Sequence, residues 1–77
     1  MTKVPENIIK ESYNSSNLKS SEYDIETKEL IVEFRKGGKY SYLNVPLQTV
    51  ISLKRALSSG SYFSKNIAKN YKYKKIS

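Results

Sequence analysis

Apolar and polar residues alternate most regularly over residues 29–35. The apolar side chains at every second position are Leu30, Val32 and Phe34. A period of two predicts a β-strand with one buried face. The next residues contain Gly37 and Gly38, and glycine adopts the positive φ angles of a tight hairpin turn without steric cost. We therefore predict that residues 40–45 return as an antiparallel strand.

A further strand is predicted on the N-terminal side of this hairpin. It spans residues 18–23, and the polar residues 24–28 form the connecting turn. Residues 1–14 are mostly polar, and we interpret them as an N-terminal extension. Within that extension, residues 7–13 are expected to form one or two helical turns.

A helix is predicted after the third strand, beginning at residues 45–47. Pro46 suits its first turn because the missing N–H would have had no partner there. The apolar residues that share one face at helical spacing are Leu47, Val50, Ile51 and Leu57. Gly60 suits the left-handed position that ends a helix.

The C-terminal part is predicted to add a short helix over residues 62–68, which would bury Phe63 and Ile67. Residues 70–77 form either a strand or an extended arm. The resulting fold class is α+β: a small three-stranded antiparallel meander with a helix packed on one face and a short C-terminal helix or strand. The helix is needed because an uncovered hairpin is only marginally stable. Residues 15–77 thus make a single domain.

Charge is distributed very unevenly along the chain. All seven acidic residues lie in residues 1–33, and residues 34–77 hold ten of the fourteen Lys and Arg residues. The net charge is +7, and tyrosines and both phenylalanines are interleaved with the C-terminal cations. A segment without counter-charges repels itself unless a polyanion neutralises it. The pattern therefore indicates a polyanionic partner such as nucleic acid.

The composition argues against enzyme chemistry. The chain has no Cys and no His, which removes disulfides, thiolate zinc sites and the usual general base. It has no HExxH or P-loop motif, and its carboxylates lie too close to turns to suggest a catalytic pair. We predict no catalytic, metal-binding or cofactor-binding residues. No apolar segment approaches the length of a membrane span, so we expect a cytoplasmic protein without a membrane partner.

Several short motifs resemble the KTSC domain family in order and spacing. They are Ser15-Ser16-Asn17-Leu18, Tyr23-Asp24, Val32-Glu33-Phe34, Gly37-Gly38, Tyr40-Ser41-Tyr42, Val45-Pro46, Ser59-Gly60-Ser61-Tyr62-Phe63, Asn66-Ile67 and Tyr71. The resemblance covers roughly residues 15–76. That family occurs at the C-terminus of some lysyl-tRNA synthetases and as stand-alone bacterial or phage proteins. The resemblance implies a small domain for which RNA binding has been suggested, without an established role.

The first candidate site is the pair Tyr40 and Tyr42. Two residues apart on a strand, their rings project from the same face of the sheet. If that face is open, the rings form a platform on which bases stack. The alternative, which we favour for at least one ring, is that they pack beneath the helix.

The second candidate is the cluster of basic and aromatic residues near the C-terminus. Its members are Tyr62, Lys65, Asn66, Lys69, Tyr71, Lys72, Tyr73, Lys74 and Lys75. Ammonium groups would contact phosphates and tyrosines would stack on bases. The alternatives are a solvated Lys-rich terminus and, for Asn66, a structural role. A third group, Lys36, Lys39, Lys54 and Arg55, is more typical of an ordinary solvated face.

The sequence therefore favours a small basic nucleic-acid-binding module of low sequence specificity, for RNA or single strands. The alternative is a protein-interaction module, such as a phage or bacterial factor that docks on an acidic surface of a host enzyme or defence complex. The chain is expected to be a monomer or a homodimer.

Overall fold

The computed structural model describes residues 7–77, in which five antiparallel strands form one sheet. Each strand pairs with the next strand along the chain, in the order β1-β2-β3-β4-β5. Two helices connect β4 to β5. The elements are β1 (Ile8–Ser12), β2 (Leu18–Asp24), β3 (Glu29–Phe34), β4 (Lys39–Tyr42), α1 (Leu47–Arg55), α2 (Ser59–Asn66) and β5 (Tyr73–Lys75).

The predicted α+β class is confirmed, but the sheet has two more strands than the predicted three-stranded meander. Strands β2 to β4 are that meander, and β1 and β5 extend it at either edge. The helical turns predicted for residues 7–13 were wrong. Residues 8–12 form β1 because Ile9 lies directly opposite Tyr23 of β2 and packs against the core. The remainder of the predicted extension, residues 1–6, lies outside the described residues.

The hairpin between β3 and β4 has the turn that its glycines predicted. Gly37 and Gly38 have φ angles of 102° and 96°, in the region that side chains disfavour. The Gly37 N–H donates to the Phe34 carbonyl at 2.9 Å, and the Phe34 N–H donates to the Gly38 carbonyl at 3.1 Å. This turn fixes which residues of β3 and β4 face each other.

Both helices cover the same face of the sheet, and the core lies between the two layers. The buried residues that the sheet contributes include Tyr23, Leu30, Val32 and Tyr42, and the helical layer contributes Val50, Leu53, Phe63 and Ile67. Cross-strand register places Leu30 opposite Tyr42 and Val32 opposite Tyr40. Side chains at opposed positions share a face, so both tyrosines of β4 point toward the helices.

The apolar face predicted for α1 was only partly right. Val50 is buried as expected, but the second buried residue is Leu53, and Leu57 is fully exposed. The reason is length: α1 ends at Arg55, so Leu57 lies in the loop beyond it. Gly60 likewise does not end a helix. It lies in the first turn of α2, where an added Cβ would come 3.1 Å from Ser15 Oγ, so it permits a close approach of two loops.

Three buried tyrosine hydroxyls are expected to make the folded state less stable at alkaline pH. Burial is the largest cause that raises the pKa of Tyr13, Tyr23 and Tyr42 above the ordinary value of 10.0. The unfolded chain ionises these groups near pH 10, whereas the folded chain keeps them protonated. Their contribution to the free energy of unfolding is complete below pH 10. It is lost as the pH rises through the pKa values of the folded state.

We therefore expect the free energy of unfolding in urea to fall steeply above about pH 10. Tyr42→Phe keeps the ring and removes one titrating hydroxyl, so its alkaline loss should be smaller than that of the unaltered chain. The same loss in both proteins would show that Tyr42 does not contribute to this dependence.

Candidate nucleic-acid interface

The face of the sheet opposite the helices carries balanced charge and no aromatic ring among its strand residues. Its charged side chains are Lys10, Lys19, Glu22, Asp24, Glu29, Glu33, Lys39 and Lys74. Lys10 Nζ lies 3.7 Å from Glu22 Oε2, and Lys19 Nζ lies 3.7 Å from Glu33 Oε2. We call this surface the open face. It offers a polyanion neither a net attraction nor a stacking surface.

On the helix-covered side, the end of the sheet near the β3–β4 turn is rich in aromatic side chains. Aromatic rings there line an open cavity of about 370 Å³. Its lining residues are Asn17, Phe34, Lys36, Gly37, Tyr40, Tyr42, Ala68 and Tyr73. We call this cavity the aromatic groove. It brings together the β3–β4 turn, the loop before β2, the segment after α2 and strand β5.

The rings around the groove contact one another in a continuous chain. The centroids of Phe34 and Tyr40 lie 5.6 Å apart in an edge-to-face arrangement. Tyr73 lies 5.8 Å from Tyr40 and 5.4 Å from Tyr42 in tilted arrangements. These separations fall within the range of favourable aromatic pairs, so each ring supports the position of the next.

Burial divides these rings into two groups. Tyr42 is 4% exposed and packs edge-to-face on Phe63, with centroids 5.3 Å apart, so its ring belongs to the core. Tyr40 is half-buried, and Tyr73 is 56% exposed. Of the predicted pair, one ring is therefore sealed and the other borders the groove. The rings accessible from the groove are therefore Tyr40 and Tyr73, not Tyr40 and Tyr42.

Two lysines adjoin the rings. Lys36 lines the groove, and Lys75 lies directly opposite Tyr40 on the same face of the sheet. A Cβ on Gly38 would lie 3.7 Å from Tyr40 Cε1 and 4.0 Å from Lys75 Cε, so the two side chains meet above the turn. Two lysine side chains therefore lie beside an aromatic surface.

Other predicted residues lie away from the groove. Lys74 points to the open face, because it lies opposite Ser41. Tyr71 is held against α1, where its hydroxyl lies 3.2 Å from Thr49 Oγ1. Tyr62 is half-buried on the core.

Asn66 has a local role. Its Nδ2 donates to the Tyr62 carbonyl at 3.2 Å, one turn earlier in α2. This bond satisfies a backbone group within the helix, which agrees with the structural role considered for Asn66 from the sequence.

The remaining predicted lysines are exposed on the helical layer and on the segment that leads to β5. Lys65 belongs to α2, Lys69 follows Ala68 of the groove, and Lys72 precedes Tyr73. Within residues 7–77, none of these three forms an ion pair, and neither does Lys36 or Lys75. Because Glu22, Asp24, Glu29 and Glu33 all lie on the open face, few acidic residues offset the lysines on the helix-covered side.

Five of the lining residues were not among the predicted site residues, namely Asn17, Phe34, Lys36, Gly37 and Ala68, and of these Lys36 was assigned to a solvated face. Phe34 could have been found, because the Gly-Gly turn sets the register that puts β3 residues beside Tyr40. Asn17 could not, because it reaches the groove through a loop whose path depends on tertiary contacts.

Fold and site together define a small α+β domain with a basic aromatic groove. A family model described as the KTSC domain matches residues 14–71. The chain therefore belongs to the KTSC domain family, as the motifs indicated.

Named relatives agree with this assignment. The chain is 39% identical over 62 residues to a lysine–tRNA ligase of Trichormus variabilis and equally to one of a Nostoc species; each match covers 80% of the chain. It spans only 11% of the length of those ligases. The crystal structure of a KTSC domain protein from Yersinia pestis superimposes with a TM-score of 0.85 at 30% identity, covering 91% of this chain and 99% of that one. Neither helix within residues 7–77 has the length and apolar character needed to cross a bilayer.

Proposed function

We propose that this domain binds single-stranded nucleic acid, with RNA favoured, through the aromatic groove and the lysines beside it. The observation that carries the proposal is the separation of charge and rings. The open face is balanced and has no aromatic residue, whereas accessible rings and unpaired lysines meet on the other side. A polyanion is therefore attracted to the surface that can also stack its bases.

The shape of the groove favours unpaired bases. Its rings line a concavity, so a base must leave its neighbours to reach Tyr40 or Tyr73, which a base held in a duplex does not do. Stacking one base on an aromatic side chain contributes about 1–3 kcal/mol, and phosphate contacts add an attraction that does not depend on sequence. Binding should therefore tolerate many sequences.

The family relationship supports RNA over DNA. The relatives that the chain resembles are lysine–tRNA ligases, whose name records action on a tRNA. The matching region is a small part of each ligase, so the catalytic activity of those proteins does not extend to this domain. What carries over to the proposal is an association with RNA.

We expect the affinity for a single-stranded RNA to fall steeply with salt. Three or four phosphates, contacted by Lys36, Lys75 and the neighbouring lysines, would weaken binding about 20- to 50-fold between about 50 and about 200 mM salt, since each neutralised phosphate contributes about −0.7 to the logarithmic slope. Fluorescence anisotropy of a labelled oligonucleotide measures this directly. Duplex RNA of the same sequence is the control and should bind more weakly.

Absence of binding at low ionic strength, or binding that salt does not change, would contradict the proposal. A partner protein recovered from host lysate after nuclease treatment would then favour the alternative, a module that docks on an acidic protein surface.

A further inference from the structure

We propose that Arg35 is a positioning residue for the aromatic groove: it holds one wall of the groove in place and does not itself contact a phosphate. This role rests on the proposed function and names a residue outside the groove lining on which RNA binding depends. Arg35 lies in the chain between Phe34 and Lys36, which both line the groove. An arginine beside such a site suggests a phosphate contact, because its planar guanidinium matches phosphate oxygens. Its hydrogen bonds show a different use.

The guanidinium of Arg35 is bound to the protein itself. Its Nη2 donates to the Tyr13 carbonyl at 2.8 Å, and its Nε donates to the Ser15 carbonyl. These two N–H groups form one edge of the planar fork, and a bidentate phosphate contact needs two such parallel donors. Backbone carbonyls therefore occupy the edge that Nε and Nη2 share.

The bonds from Arg35 fix the loop between β1 and β2, which comprises residues 13–17. The Arg35 N–H donates to the Asn17 carbonyl at 3.0 Å, so one residue at the end of β3 holds three carbonyls of this loop. Within the loop, Ser15 Oγ accepts from the N–H groups of Asn17, at 3.1 Å, and Leu18, at 3.2 Å. The position of Asn17 thus depends on Ser15 and Arg35 together.

This loop separates two cavities. Asn17 lines the aromatic groove, and residues 13–17 all line a second cavity of about 500 Å³ that the start of α2 also lines. The loop meets α2 at Gly60, where an added Cβ would lie 3.1 Å from Ser15 Oγ. Open space on both sides gives the rest of this wall few packing contacts, because a void supplies no atoms to contact. Without the bonds from Arg35, we expect the loop to move and the groove to lose its shape beside Phe34.

Lysine in place of Arg35 separates positioning from charge. Arg35→Lys keeps the positive charge, but an ammonium group has no planar fork with which to hold two carbonyls at once. It can still bind a phosphate as a point charge. A positioning role is therefore lost in Arg35→Lys, whereas a phosphate contact is largely retained.

The test uses the full chain and a labelled oligo(U) RNA of about eight nucleotides, within the site size of small single-strand binders. We expect Arg35→Lys and Arg35→Ala to weaken binding equally, by about fivefold, a size usual for residues that affect a ligand without touching it. The logarithmic salt slope should stay unchanged in both variants, since no phosphate contact is lost. Fluorescence anisotropy at several salt concentrations, well below the melting temperature of each variant, measures both quantities.

Ser15→Ala tests the same loop without any change of charge. Ser15 does not line the groove, and its hydroxyl holds the N–H groups of Asn17 and Leu18. Its loss should weaken RNA binding by about threefold. Combined with Arg35→Lys, it should cost less than the product of the two single effects, because both residues act on one loop. If the Arg35 variants fail to fold, Ser15→Ala decides the test alone.

Arg55→Lys and Arg55→Ala are the matched controls. Arg55 is the other arginine of the chain, exposed at the end of α1 and outside the groove lining, so its replacement should change the affinity by less than about twofold. Thermal melting followed by circular dichroism verifies that the variants fold.

Two results would overturn the positioning role while RNA binding persists. The first is full affinity in Arg35→Lys together with a salt slope lowered by about 0.7 in Arg35→Ala, which would make Arg35 a phosphate contact. The second is full affinity in both Arg35 variants or in Ser15→Ala. If the unaltered chain binds no RNA at low salt, the proposed function is wrong, and the role of Arg35 in binding is wrong with it.

Discussion

Replacing Tyr42 with alanine is expected to destabilise the domain by about 3–5 kcal/mol, the usual cost of truncating a fully buried aromatic residue. The ring is 4% exposed, packs edge-to-face on Phe63 and lies opposite Leu30. A domain of ordinary stability has about 5–15 kcal/mol in total, so the variant should lose a large part of it. Urea denaturation followed by circular dichroism measures the change.

Tyr40→Ala is the matched control, because it removes the same side chain two positions away on the same strand. Its ring is half-buried at the groove, so the loss of stability should be about 1 kcal/mol. Its loss of RNA affinity should be about tenfold, within the value of one stacked base. Equal destabilisation by the two substitutions would show that Tyr42 is not a core residue distinct from Tyr40.

The part of the fold that the sequence predicted is the part determined by local pattern. Strand β3 alternates regularly, and the two glycines after it favour a tight turn because they adopt positive φ angles without steric cost. Strand β1 gives a weaker signal, because an edge strand pairs on one side and carries charged residues along its length. Its conformation depends on pairing with β2 across a loop, which residues 7–13 alone do not reveal.

Helix α1 shows how an error of two residues at an end changes the predicted core. Extending the helix to the Ser-Ser-Gly segment puts Leu57 on the buried face, whereas the observed end at Arg55 puts Leu57 in solvent. Leu53 then supplies the buried side chain three residues after Val50. Apolar periodicity gives the face of a helix only when its length is known.

For the candidate site, composition gave the sign of the charge but not its position on the surface. Lys74 and Lys75 are neighbours in the chain, and strand β5 sends them to opposite faces of the sheet. The sequence left open whether residues 70–77 form a strand or an arm, so it could not separate them. Only the pairing of β5 with β4 assigns Lys75 to the groove and Lys74 to the open face.

That separation provides the sharpest test of the interface. Lys75→Glu and Lys74→Glu each lower the net charge from +7 to +5. Any effect of overall charge on binding is therefore the same in the two variants. We expect Lys75→Glu to weaken RNA binding about tenfold or more, because a charge-assisted contact contributes about 1.5–3 kcal/mol. Lys74→Glu should change the affinity by less than about threefold, as a surface charge remote from the ligand does.

Adding Lys36→Glu to Lys75→Glu should bring the loss to about 100-fold if the two contacts act independently. The salt slope should also fall by about 0.7 for each phosphate contact removed. Anisotropy at several salt concentrations measures both quantities, and thermal melting verifies that the variants are folded. Equal losses for Lys74→Glu and Lys75→Glu would mean that binding responds to net charge alone. A larger loss for Lys74→Glu would place the nucleic acid on the open face, where the strands offer it no aromatic ring.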